Sequence, residues 1–94
     1  MEKLIVCAFY DIENSMYDTP FYVLNEMFAR RHFIMAIEKE GSMLNRFQDD
    51  FVLEKLGEFN KKNGTFEFDR KVIMEGRFVL TENKENTDEV SNEA

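Results

Sequence analysis

Histidine, cysteine and clustered carboxylates are the side chains with which a short chain makes and breaks bonds, and this chain has few of them. His32 is its one histidine and Cys7 its one cysteine. No serine or cysteine stands at a recognisable spacing from His32, so a triad is not indicated. With so few nitrogen and sulfur donors, a zinc site would have to lean on carboxylates. A structural or surface role is expected for His32. Asp49 and Asp50 form the densest acidic pair. Adjacent carboxylates bind Mg²⁺ only with further ligands or with a phosphate that arrives with the metal, so a helix or turn cap is the expected role. No P-loop, glycine-rich dinucleotide turn or zincin motif occurs. The expectation is a chain without catalytic residues, metal or cofactor, and not an enzyme.

A second kind of chemistry is better represented. Basic residues punctuate the second half at Arg46, Lys55, Lys61, Lys62, Arg70, Lys71 and Arg77. Phe66 and Phe68 alternate on one strand face, with Phe59 on the strand expected to pair with it. Aromatic rings on a sheet beside lysine and arginine form a platform for single-stranded DNA, which needs stacking and phosphate contacts but little sequence readout. Lys61, Lys62, Arg70 and Lys71 are the candidates for phosphate contact, and Phe66 and Phe68 for stacking. Phenylalanine at alternate strand positions is also the ordinary pattern of a core. Between Arg46 and Leu80 the seven basic residues meet seven acidic ones, so any basic patch must arise by segregation in three dimensions.

These residues need elements to hold them. Leu56 to Phe68 reads as a hairpin: two strand-forming runs around a polar turn that ends in Asn63-Gly64, a pair tolerant of positive φ. Phe51 to Phe59 is the first strand and Thr65 to Phe68 the return. Glu54 and Glu58 share a face with Val52 and Leu56, and Lys55 shares one with Leu53 and Phe59, so neither face is cleanly apolar and a helix over Asp50 to Leu56 is the alternative reading. Val72–Met74 and Arg77–Leu80 are further short apolar runs around Glu75-Gly76, one of them a candidate final strand. Leu4 to Tyr10 is an unbroken apolar run, expected as a central strand covered on both faces. Asp11 to Thr19 reads as a loop. Pro20 opens a short edge strand, Phe21–Val23. Asn25 caps a helix from Glu26 to about Glu40, with Gly41 as its stop. Ser42 to Asp50 connects, with a helical turn around Met43 to Phe47.

The helix is apolar on two sides. Ala29, Phe33, Ala36 and Ile37 form a stripe for the sheet. Phe28 and Met35, with Met27 and Ile34 beside them, form another. Phe28, Ile34 and Met35 are therefore candidates for an interaction surface, in a homodimer or against another protein. The architecture expected is α+β: a small antiparallel or mixed sheet in ββαββ-like order, with one main helix on one face.

Composition agrees. Residues 1–80 are expected to form one domain. The last fourteen, Thr81 to Ala94, carry five acids against one lysine and only two apolar residues, and read as a disordered acidic tail. Four of the seven net negative charges sit there, and the remaining acidity argues against tight nonspecific duplex binding. A lone cysteine excludes an intrachain disulfide and fits a reducing compartment. No apolar run approaches the roughly 20 residues of a membrane span, and no signal peptide is evident, so the expected location is cytosolic.

The order of these features resembles a family. Tyr10-Asp11 closes the first strand; Pro20-Phe21 follows; Ala29, Arg31 and Phe33 lie on the helix; then come Asp50-Phe51, Leu56-Gly57-Glu58-Phe59, Gly64 and an aromatic strand. From Leu4 to about Leu80 this looks like the small nonstructural protein of gokushoviruses, the icosahedral single-stranded DNA phages of the Microviridae. The tail is outside the resemblance, as is the apolar outer side of the helix at Ile34 and Met35, where such proteins more often carry polar residues. The resemblance implies a protein absent from the mature particle. It would act in the host cytoplasm around viral DNA synthesis and packaging, with single-stranded DNA or the replication and packaging proteins as partners. It supplies no catalytic residues.

Overall fold

The apolar run Leu4–Tyr10 becomes the strand around which the rest is arranged. The computed structural model of the chain describes residues 2–80; the expected acidic tail, Thr81–Ala94, lies outside the described residues. Strand β1 (Lys3–Asp11) has its edge on one side shared by β2 (Met16–Tyr17) and β3 (Phe21–Val23). On its other side lies β4 (Phe51–Asn60), and β5 (Thr65–Glu75) pairs with β4 at the sheet's outer edge. All four pairings are antiparallel, and the five strands run β2-β1-β4-β5 with β3 beside β1. The α+β class expected from the sequence is the observed one.

The main helix, α1 (Glu26–Glu38), begins where Asn25 turns extended and its side chain accepts a hydrogen bond from the Phe28 amide at 3.1 Å. Glu26 in the first turn suits the positive end of the helix dipole. The chain leaves the helix at Lys39 and reverses at Gly41, whose φ of +85° favours glycine. Ser42 then caps the short helix α2 (Met43–Arg46) by accepting from the Asn45 amide at 3.0 Å, while its hydroxyl donates to the Ala36 carbonyl at 2.8 Å. Replacing Asn25 with Ala is expected to cost about 1 kcal/mol and to lower Tm by roughly 4–8 °C, read by thermal unfolding. An unchanged Tm would show that the Phe28 amide does not depend on this cap.

Alternation along the strands decides which residues meet α1. Cys7 and Phe9 of β1 and Phe51 and Leu53 of β4 share one face, and Ala29, Phe33 and Ile37 of α1 pack on it at 0% exposure. Phe33 meets Phe9 with ring centroids 5.3 Å apart, and Leu44 of α2 and Val79 complete the cluster. Buried Gln48 ties the chain's last described turn to this core, its amide donating to the carbonyls of Gly76 and Val79. Ile34 leans on the core from the side, half-buried, whereas Phe28 and Met35 stay exposed, so the expected second stripe is divided.

Several local expectations give way. β1 is central, but α1 and α2 cover one face of it. On the other face Val6 and Ala8 are buried as short side chains beside taller cross-strand partners, Tyr22 and Glu54. The stretch read as a loop contains β2, held because the Asp18 amide donates to the Phe9 carbonyl at 2.8 Å. Val72–Met74 belongs to β5 rather than to a new strand, joined to it across a bulge at Ile73, and Gly76–Phe78 is a 3₁₀ turn. A second bulge, at Leu56, flips the alternation of β4, so Glu58 joins Lys55 on the helix side and Phe59 moves to the other.

Candidate nucleic-acid interface

The hairpin turn holds Lys61 and Lys62 at one end of the sheet. Gly64 takes φ +74° and its amide donates to the Asn60 carbonyl at 2.8 Å. Asn60 Oδ1 accepts from the Lys62 amide at 2.9 Å, and Asn63 Oδ1 accepts from both the amide and the hydroxyl of Thr65 at 3.0 and 2.7 Å. A turn closed by its own asparagines sends both lysine side chains into water. Lys62 has only a loose ion pair, 4.0 Å from Glu2, and Lys61 has none among the described residues.

The strand face turned away from the helices carries the rings. The register aligns Leu4, Phe59 and Phe66 in one row and Tyr22, Val6, Gly57 and Phe68 in the next. Ala8, Glu54 and Val72 form a third, and Tyr17, Tyr10, Val52 and Glu75 a fourth. None of these residues belongs to the core cluster; Val6, Ala8 and Val52 are buried among their neighbours, and Leu4 and Tyr22 border a groove beside α1. Phe66 and Phe68 meet edge to face at 5.3 Å, and Tyr22 meets Phe59 the same way at 5.8 Å. Phe68 is 82% exposed and Phe66 40%. Their alternation is thus not that of core residues.

Arg70 is the cation of this face. Its guanidinium lies 5.3 Å from the centre of the Tyr17 ring, hydrogen-bonds the Tyr17 hydroxyl and stands 3.7 Å from Glu54. Tyr17 donates in turn to Glu54 at 2.8 Å, and desolvation together with that carboxylate holds the phenol above its usual pKa. Arg70 therefore sits in a neutralised cluster with its plane beside rings, suited to stacking as well as to phosphate.

Lys71 does not join it. As Arg70's neighbour on the strand, it points to the helix side and binds Glu26 at 2.5 Å, which holds the Glu26 carboxyl below its usual pKa. Beneath it lies Lys55, 7% exposed, bonded to Asp69 at 2.9 Å and Glu58 at 3.2 Å. Those two bonds outweigh desolvation and hold the Lys55 ammonium above its usual value, while Asp69 is held below its own. Of the four expected phosphate ligands, then, the turn presents two, the open face one and the helix side one. The residues missed from the sequence are Tyr10, Tyr17 and Tyr22, which share this face only through the register of the five strands: Tyr22 meets Phe59, and Tyr10 meets Tyr17 at 4.6 Å.

The other candidate sites look different. Cys7 is buried under α1, where desolvation above all, with the charge of Glu26, pushes its thiol up to about 11 against the opposing effect of Lys55. Such a thiol is a poor nucleophile. His32 lies tilted against Phe21 at 4.4 Å and stacks on Phe9 at 5.7 Å. With Leu4, Tyr22, Leu24, Phe28 and Met35 it lines a groove of about 420 Å³ beside α1. No group of three or more metal-ligating side chains gathers among the described residues, and no helix there is long and apolar enough to cross a membrane.

No curated protein and no solved structure matches the chain. A family model does: it spans residues 4–79, from the first core strand to the residue that closes the core, and so takes in the open face and the hairpin turn together. By that match the chain belongs to the family of phage ORF5 proteins.

Proposed function

We propose that this phage protein acts without catalysis of its own in viral DNA replication or single-stranded DNA packaging, by binding single-stranded DNA on the open face of its sheet. The observation that carries the reading is the wet pair of rings, Phe66 and Phe68, on a face that also bears Arg70 and ends at Lys61 and Lys62. A core has no use for a phenylalanine that is 82% exposed, whereas an unpaired base stacks on one. The resemblance to gokushovirus nonstructural proteins supports the same reading, with the host cytoplasm as the proposed place of action. The net negative charge limits how much of the affinity comes from counterion release and puts the weight on stacking.

Fluorescence anisotropy with labelled oligo(dT) tests this. Phe68→Ala is expected to weaken binding by about 1–3 kcal/mol, roughly 5- to 150-fold, with Tm unchanged. Lys61→Glu with Lys62→Glu is expected to weaken it further and to flatten its salt dependence by about 0.7 in slope per lost phosphate contact. An affinity indifferent to salt and to both changes would remove the mechanism. Absence of binding would leave the alternative, a protein-interaction module working through the exposed Phe28 and Met35 and the half-buried Ile34.

A further inference from the structure

We propose that a second copy of this chain joins the sheet across the free edge of β5, antiparallel and centred on Asp69, so that Glu67 of each copy faces Lys71 of the other. β5 is the last strand of the sheet and, at 11 residues, its longest. One of its edges pairs with β4; the other has no neighbour among the described residues. Edges of this length are normally kept short, bulged or blocked by proline, because their free amides and carbonyls template pairing with another chain. This one has neither proline nor glycine, and its side chains change face at each residue from Thr65 to Val72, although its ladder with β4 shifts register opposite Leu56 and again at Ile73.

Charge selects the register. A two-fold axis pairs a strand with its own reversal, so each contact occurs twice. With the axis at Asp69, Glu67 meets Lys71 on the helix side, while Phe68 meets Arg70 and Phe66 meets Val72 on the open side. Each is a favourable cross-strand pair. Moving the axis to Phe68 sets Glu67 against Asp69. Moving it to Arg70 sets two guanidiniums against each other. Half-steps would bring residues of opposite faces together. The remaining like pair, Asp69 against Asp69, is relieved because Lys55 holds each carboxylate at 2.9 Å. Lys71 already binds Glu26, but an ammonium has three donors and can bridge both carboxylates. The pairing stands on the edge's own chemistry and does not depend on DNA binding. It would set Phe66, Phe68 and Arg70 of both copies on one continuous face.

Sedimentation velocity from micromolar to millimolar protein tests it. The native chain is expected to self-associate. Glu67→Lys and Lys71→Glu are each expected to weaken association roughly tenfold or more, because each turns two attractive pairs repulsive. An equimolar mixture of the two variants regains both attractive pairs and is expected to associate like the native chain. That recovery separates the interface from any damage Lys71→Glu does through Glu26. Under mild oxidation Asp69→Cys is expected to give a disulfide-linked dimer and Glu67→Cys is not, since only position 69 faces itself; Cys7 is buried. A chain monomeric at every concentration, a mixture that does not recover, or a dimer lost with Phe28 and Met35 but indifferent to β5 would overturn the proposal.

Discussion

Gly57→Ala is expected to destabilise the protein by about 2–3 kcal/mol and to lower its Tm by roughly 10–20 °C. Backbone preference alone gives the opposite sign, since alanine within a strand is favoured over glycine by about 0.5–1 kcal/mol. Space decides the matter. Gly57 pairs with Val6 on one side and Phe68 on the other, and a Cβ built on it falls far inside the 3.0 Å that such atoms respect from the Glu67 carbonyl oxygen. It also stands 3.0 Å from Cε1 of the Phe66 ring. The ring can swing away, but the carbonyl belongs to the ladder between β4 and β5 and cannot move without opening it. The same absence of a side chain lets Phe66 lie across the sheet and meet Phe68. Urea and thermal unfolding read the stability, and oligonucleotide binding by whatever folded protein remains reads the face. A Tm that rises would show that β5 yields at no cost and that Gly57 is there by propensity alone.

Gly57 also marks how far the sequence could be read. Signals that act within a few residues were legible: the apolar run of β1, Pro20 before β3, Asn25 before α1, and Asn63-Gly64 at the turn each dictate their own backbone. The α1 stripe of Ala29, Phe33 and Ile37 was legible because one helix face has one partner. The bulges at Leu56 and Ile73 were not, because a bulge is a relation between strands and has no local signature here. Missing the bulge at Leu56 put Phe59 on the wrong face and separated Glu58 from Lys55. That the four basic candidates do not share one face has a reason that was available: Arg70 and Lys71 are adjacent on a strand and must face opposite ways. The tyrosines of the open face could not be assembled, since Tyr10, Tyr17 and Tyr22 come from three strands whose order is invisible in one dimension.

Phe33→Ala is expected to cost about 3–5 kcal/mol, the largest loss of any single truncation in the chain. At about 0.05–0.15 kcal/mol per residue, a body of this size holds roughly 4–12 kcal/mol in all, so the variant should be partly or wholly unfolded at 37 °C. Phe33 is fully buried at the middle of α1, and its ring is one of three around Phe9, with Phe21 edge-on at 5.3 Å and His32 stacked. Removing it leaves a cavity that the hydrogen-bonded strands beneath it cannot collapse to fill. Phe28→Ala, on the same helix but 42% exposed, is expected to cost less than about 1 kcal/mol, and Phe68→Ala less still. Denaturant titration of the three variants therefore ranks them by burial rather than by residue type. Equal losses at Phe33 and Phe68 would mean that the open face is packed in solution, and the stacking platform would fall with it. The predicted ranking follows from a sheet whose stability is concentrated on its helix side, which leaves the rings of the other side free to bind without supporting the fold.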